Sequence, residues 1–245
     1  MLDWPYPRWI AHRGAGKLAP ENTLAAFRLG AQYGWRMFEC DVKLSRDGVP
    51  FLMHDAELPR TTNGLGVGGD HSWLDLSQLD AGSWHSRAFA GEPLPTLANI
   101  ARFCQQSGHD LNIEIKPTPG TERHTGEVVA RQSATLWHGQ AQQPLLTSFE
   151  PDALGGAVSA AAHLPRGLLL DNLWSGWLET AETLQCAAIV CKYTLWDEAL
   201  VQKVHAAGLR ALSYTVNDAA AAERLLALGT DGIISDRVDL FSPGQ

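Results

Sequence analysis

Short apolar runs alternate with amphipathic segments from one end of this chain to the other. That alternation limits its fold more than any other feature. Strand-like runs are expected at Arg8–His12, Met37–Leu44, Asp110–Ile115, Leu145–Ser148, Gly167–Leu170, Ala188–Lys192, Arg210–Thr215 and Gly232–Ser235, with an adjoining extended run at Val49–His54. Helices are expected at Asn22–Gly34, Thr96–Ser107, Thr125–His138, Pro151–Ala162, Leu178–Leu184, Asp197–Ala207 and Ala219–Leu228. In the first helix Leu24, Phe27 and Ala31 share a face. A strand followed by a helix and another strand favours parallel pairing, because the helix carries the chain back to the starting edge. About eight such units predict an α/β fold in which the parallel sheet closes into a (β/α)8 TIM barrel. At 245 residues, the whole chain 1–245 is expected to be one such domain. An open doubly wound sheet is the alternative, but no GxGxxG follows the first strand.

One stretch breaks the rhythm. Asp55 to Pro95 is long and rich in Gly, Ser and Asp, with Gly64, Gly66, Gly68 and Gly69 close together. Connections of this length are usually functional. Trp73, Leu74, Leu76, Leu79 and Trp84 could build a small core there, so a subdomain over the top of the barrel is expected rather than a disordered loop.

The net charge of −8 argues against a nucleic-acid surface, which would need a basic patch. It leaves an anionic substrate open only if local cations or a metal overcome the global field. No window is long and apolar enough for a membrane span. The start, Met1-Leu2-Asp3-Trp4-Pro5, carries an acid and a proline where a signal peptide wants basic and then apolar residues. Cys40, Cys104, Cys186 and Cys191 lack zinc or redox spacing and read as reduced core residues, so a cytoplasmic location is expected.

Chemistry collects at the strand ends. Trp9-Ile10-Ala11-His12-Arg13-Gly14 runs from an apolar strand into an acid/base group and a fixed cation. Glu39-Cys40-Asp41, read as the end of the second strand, puts both carboxylates on one face. Such a pair suits a hard cation, or is simply a solvated strand end. His54-Asp55 closes the Val49 run, and Glu114-Ile115-Lys116 closes the third strand. Glu114 could join Glu39 and Asp41 as a metal ligand, and Lys116 could hold a phosphate oxygen, or the two could form a plain ion pair. The remaining histidines, His71, His85, His109, His124, His138, His163 and His205, fall in loops or helices and read as structural. A barrel brings all its carboxyl strand ends to one face. The convergence of these groups there carries more weight than any one of them.

The same residues resemble the glycerophosphodiester phosphodiesterase family over essentially the whole chain. The matching segments are His12-Arg13-Gly14, Pro20-Glu21-Asn22-Thr23, Glu39-Cys40-Asp41-Val42, His54-Asp55, Arg60-Thr61-Thr62-Asn63-Gly64, Glu114-Ile115-Lys116 and Asp231-Gly232-Ile233-Ile234-Ser235-Asp236. The resemblance implies a barrel with a small insertion after its second strand, matching 55–95. It implies His12 and His54 as the acid/base pair, and Glu39, Asp41 and Glu114 as ligands of one divalent cation, Mg2+ or Ca2+. Arg13 and Lys116 would touch phosphate, Glu21 would support the site, and Asn22 or Thr23 would cap the next helix. Gly14 would turn the backbone and leave room for the phosphate. Where the family often has Trp-Thr-Val-Asn, this chain has Tyr214-Thr215-Val216-Asn217, which makes Tyr214 a substrate-binding candidate. Trp174 and Trp196 are further candidates for aromatic contact with a choline, or are packing residues.

The expected reaction is metal-dependent hydrolysis of a glycerophosphodiester to sn-glycerol 3-phosphate and an alcohol. His12 would serve as the leaving-group acid and His54 as the base. The nucleophile is either the neighbouring glycerol hydroxyl, giving a cyclic phosphate that water opens, or water itself. Two rivals stand beside this reading: a phospholipase D-like lyase on a related barrel, and a phosphodiester-binding module without turnover. The intact set of acid, base and metal residues argues against the second.

Overall fold

The computed structural model describes residues 4–241 and 243. Met1, Leu2 and Asp3, which open the segment read for a targeting signal, lie outside them. The strands are β1 (Trp9–Ala11), β2 (Met37–Leu44), β3 (Pro50–Leu52), β4 (Asp110–Ile115), β5 (Leu145–Ser148), β6 (Arg166–Leu170), β7 (Ala188–Lys192), β8 (Arg210–Tyr214) and β9 (Gly232–Ser235). The α-helices are α1 (Leu24–Gln32), α2 (Trp73–Leu76), α3 (Leu97–Ser107), α4 (Glu122–Leu136), α5 (Pro151–Ala161), α6 (Trp177–Thr183), α7 (Glu198–Ala206) and α8 (Ala219–Leu228).

The strands hydrogen-bond in the order β1-β9-β8-β7-β6-β5-β4-β2-β3, and β1 also pairs with β2. That second pairing closes a ring of eight parallel strands, the (β/α)8 barrel. The closing seam sets Ile10 opposite Met37 and Ala11 opposite Ser235. β3 adds to the sheet antiparallel to β2, with Val42 opposite Leu52 and Leu44 opposite Pro50. Short β1 stops beside Phe38, so the upper half of β2 has a free edge, which β3 covers.

Two apolar layers result from the two-residue period of the strands. Ile10, Met37, Leu145, Leu169, Val190, Leu212 and Ile234 fill the inside of the barrel. Their neighbours Trp9, Phe38, Ile113, Leu168, Ile189, Ala211 and Ile233 face the helices. All four cysteines are buried and free, as expected. Among the described residues no helix is long and apolar enough to cross a membrane.

Several helices begin on the caps that the sequence offers. The Thr23 hydroxyl accepts from Ala26 N, and Thr96 forms a capping box with Asn99 at α3. Asp197 and Asp218 cap α7 and α8. Asn22, offered as an alternative cap for α1, does not fill that role; its side chain pairs with Asp41 instead.

Gly14 makes the turn expected of it, but the space beside it is not left for a phosphate. It turns at φ 98°, and a Cβ there would lie 2.8 Å from Phe27 N. A Cβ on Gly30 would meet Gly14 O at 2.3 Å. The glycine therefore admits α1 to the β1–α1 loop, and the room it leaves is taken up by protein.

The 55–95 stretch is ordered around a small core of Phe51, Met53, Leu58, Leu76, Ala81 and Leu94, with Trp73 and Leu79 packed on it. Leu74 and Trp84, expected in that core, are instead exposed; for Leu74 the reason is that α2 is one short turn with a single buried side chain, Leu76. The insertion leans on the β1–α1 loop at the barrel rim. Glu92 Oε1 accepts from Ala25 N, and the His85 ring bonds Lys17 O.

Candidate active site

The strands carry apolar side chains at the bottom of the barrel and chemical groups at the top of the same face. On β2 the inward series is Met37, Glu39, Asp41 and Lys43; on β1 it is Ile10 followed by His12. Register puts Asp41 level with Glu114. The expectation that Glu39 and Asp41 end the second strand is corrected: β2 runs on to Leu44, where it pairs with β3. The carboxylates still lie at the rim of the ring, because the neighbouring strands stop earlier.

Glu39, Asp41 and Glu114 each offer an oxygen, and these oxygens all lie within 4.8 Å of one another. All three residues are buried. Glu39 Oε1 and Asp41 Oδ1 have no hydrogen-bond partner. Buried, unpartnered anionic oxygens are costly, and a divalent cation is the group that satisfies such a set. Burial and repulsion from Asp41 raise Glu39 well above the carboxylate range and Glu114 to about 7. Asp41 stays low because Arg13 and Lys116 outweigh its burial. The donor set is hard and anionic, and two of its oxygens lack a partner, so it fits one hard cation.

Each histidine is held by a carboxylate. His12 Nδ1 donates to Asp236 Oδ1 at 2.6 Å, and Asp236 is itself held by Asn217, whose Nδ2 donates to Oδ2 at 2.8 Å. His12 Nε2 lies 3.8 Å from Glu39 Oε2. His54 Nδ1 donates to Asp55 Oδ1 at 2.7 Å. Burial, reinforced by Arg13 and Lys116, lowers the His54 pKa below its ordinary 6.5. In both rings the Nδ1 bond leaves Nε2 free for chemistry.

The cations thread between these groups. Arg13 N donates to Glu39 Oε2 at 3.0 Å, its Nη1 donates to Glu21 Oε1 at 2.8 Å, and its Nε lies 3.2 Å from Asp41 Oδ2. Lys116 Nζ donates to Glu114 Oε1 at 2.9 Å and stands 3.8 Å from Asp41 Oδ1. Asn22 grips Asp41 twice: Nδ2 donates to Oδ2 at 2.8 Å, and Oδ1 accepts from Asp41 N at 3.0 Å. Arg13 and Asn22 both have positive φ, 50° and 60°. Non-glycine residues keep that conformation only when their surroundings enforce it, a cost typical of functional loops.

Two cavities meet at Glu114 and Phe149. One is narrow, bounded by His12, Glu39, Asn112, Leu169, Tyr214 and Ile234. The other, about 510 Å³, is lined by Lys43, His54, Asp55, Lys116, Pro117 and Glu150 among others. Tyr214 is half-buried in the wall of the narrow one, edge-on to Phe149, and its hydroxyl donates to Leu170 O at 3.0 Å. The hydroxyl is thus spent on the backbone, and only the ring faces the cavity. Trp196 is buried, with its Nε1 donating to Leu212 O, and Trp174 packs on the outer core; neither lines these cavities.

The expected residues His12, Arg13, Glu21, Glu39, Asp41, His54, Glu114 and Lys116 all come together at one rim. Sequence reasoning attaches no role to Lys43, Asp55, Arg60, Asn217 or Asp236. Lys43 could have been found by extending the Glu39/Asp41 alternation by two residues. Its buried ammonium donates to Lys116 O at 3.0 Å, and burial lowers its pKa to about 8. Asp55 stands next to His54 in sequence. Asp236 and Asn217 stand in segments that match the family, but nothing local says that Asp236 will meet His12, 224 residues away.

A closed barrel with acid/base groups, cations and a metal-fitting carboxylate cluster at its C-terminal rim defines an (β/α)8-barrel hydrolase. The profile of the glycerophosphoryl diester phosphodiesterase family matches residues 12–240. A glycerophosphodiester phosphodiesterase of Caldanaerobacter subterraneus subsp. tengcongensis is 32% identical over 228 residues, covering 93% of both chains. One from Bacillus subtilis is 29% identical, covering 95% of this chain and 84% of that one. The solved structure of an Oleispira antarctica phosphodiesterase, in complex with its product sn-glycerol-3-phosphate, superposes with a TM-score of 0.88 at 37% identity, covering 94% of this chain and 93% of that one. The chain belongs to the glycerophosphoryl diester phosphodiesterase family, and its activity is that of a glycerophosphodiester phosphodiesterase.

Proposed function

We propose that this enzyme hydrolyses glycerophosphodiesters such as glycerophosphocholine and glycerophosphoethanolamine to sn-glycerol 3-phosphate and an alcohol, with His12 and His54 as its acid/base pair. The observation that carries this reading is the cluster of three buried carboxylates flanked by two histidines, each aimed by a carboxylate. The product held by the Oleispira relative supports the same substrate class.

Glu39, Asp41 and Glu114 would hold one divalent cation, Mg2+ or Ca2+. When bound, such an ion neutralises charge developing on the phosphate oxygens. Arg13 and Lys116 already flank the cluster and serve the phosphate as fixed positive charges. Glu21 holds the Arg13 guanidinium in place. Tyr214 contributes its ring as a wall for the substrate. His54 Nε2 takes the proton from the attacking hydroxyl, whether the neighbouring glycerol hydroxyl or water. His12 Nε2 delivers one to the departing alkoxide. The lowered pKa of His54 supports its role as base, since its neutral form persists to lower pH. We read residues 1–245 as one domain, with the insertion contributing Asp55 to the site. The buried free thiols support the cytoplasmic reading.

The test is a turnover assay with glycerophosphocholine. His12→Ala and His54→Ala, confirmed folded by circular dichroism, are each expected to lose about 10²–10⁴-fold in kcat. Near-parental turnover in either variant removes that residue from the pair. A stable cyclic phosphate as the end product would favour the lyase chemistry instead.

A further inference from the structure

Arg60 belongs to the insertion, yet it touches both sides of the rim. Its Nε bonds Asp55 Oδ2, and its Nη2 donates to Asp55 Oδ1 at 3.2 Å. Its Nη1 and Nη2 also donate to Glu21 Oε2 and Oε1, at 2.9 and 2.7 Å. Beyond these carboxylates the chain of contacts continues in two directions. Asp55 accepts from His54 Nδ1, while Glu21 accepts from Arg13 Nη1, and Arg13 stands against Asp41.

We propose that Arg60 is a positioning residue for the hydrolysis, clamping Asp55 against His54 and joining that histidine, through Glu21, to the Arg13 loop. The proposal rests on the reading of His54 as an acid/base group. Three observations favour it over a surface ion pair or a substrate contact. The guanidinium spans two carboxylates on separate segments with its planar fork, a task one ammonium cannot do. Its donors are committed to those carboxylates, so few remain for a phosphate. It is also the largest influence holding Asp55 down to about 2, so Asp55 is an anion whenever the enzyme works. A fixed anion at Nδ1 keeps the ring proton there and leaves the Nε2 lone pair facing the site.

Arg60→Lys keeps the charge but loses the fork. It is expected to lose about 10²-fold in kcat with glycerophosphocholine, while KM and melting temperature change little. Arg60→Ala is expected to lose at least as much and to recover about tenfold in millimolar guanidinium chloride, which can refill the gap. In 15N spectra of the metal-free protein, the His54 ring proton is expected on Nδ1 in the parent and shared between both nitrogens in Arg60→Lys. A parental kcat in Arg60→Lys, or a loss confined to KM, overturns the assignment, the second outcome making Arg60 a substrate contact. If Arg60→Ala does not fold, Arg60→Lys and the spectra decide alone. Failure of the underlying reading looks different: there, His54→Ala itself stays active.

Discussion

Asp236 follows the last barrel strand and His12 the first, and the two meet across the closing seam with 2.6 Å between Oδ1 and Nδ1. Barrel closure thus completes a carboxylate–histidine pair whose members lie 224 residues apart. Asp236→Asn preserves the shape but removes the anion that fixes the ring. Its kcat is expected to fall about 10²-fold, with the fold intact by circular dichroism. An unchanged kcat would show that the seam orients nothing of consequence.

The same aspartate links the seam to acid stability. His12 and Asn217 outweigh burial and bring Asp236 down to about 2, below its ordinary 3.8. A depressed carboxyl stabilises the fold above its unfolded pKa, and that contribution disappears as pH falls through the folded value. Between pH 4 and 2, as the cited values require, the parent should lose stability faster than Asp236→Asn in denaturant titrations. Parallel curves would contradict the link.

Divalent cations should raise the melting temperature, and more so at pH 8 than at pH 5. Glu114, raised to about 7, must give up its proton for a cation to bind, so affinity falls as pH drops through that value. Glu114→Gln should abolish most of the shift, and EDTA should abolish turnover. Full turnover in excess chelator would eliminate the metal.

The pH profile separates the two roles open to His54. Its pKa lies below 6.5, so a base at this position produces an acid limb below that value. An acid at this position would lose its proton, and the enzyme its rate, on the way up to neutrality. A profile of kcat/KM from pH 4 to 9 distinguishes the two, the window bracketing the ordinary 6.5. A rate that already declines with rising pH below 6.5 would reverse the assignment.

Tyr214→Phe removes a hydroxyl that reaches only Leu170 O. We expect about 1 kcal/mol of lost stability. Because the ring wall remains, kcat/KM should hold within about threefold, whereas Tyr214→Ala should impair it more. A large kinetic effect of the phenylalanine variant would return the hydroxyl to the substrate.

Much of the barrel was legible because its pattern is local. The runs at Met37–Leu44, Asp110–Ile115 and Gly232–Ser235 are strands with those same bounds. The two-residue period alone puts Glu39 and Asp41 on one face. Where local pattern competes with context it misleads. Leu74 is as apolar as Leu76, yet a single turn of helix can bury only one of them. Asn22 could cap α1 as well as Thr23 does, until Asp41 claims its side chain.

The order of the residues, then, determined the alternation, the inward faces of the strands and the types of chemistry at their ends, because each depends on neighbours a few positions apart. Tertiary structure alone decided which of those groups touch. Only a closed ring sets Ser235 beside Ala11 and so delivers Asp236 to His12. Only the packing of the insertion on the β1–α1 loop brings Arg60 to Glu21 while it holds Asp55. These contacts join distant segments through directional hydrogen bonds, and no period in the sequence encodes where such segments will meet.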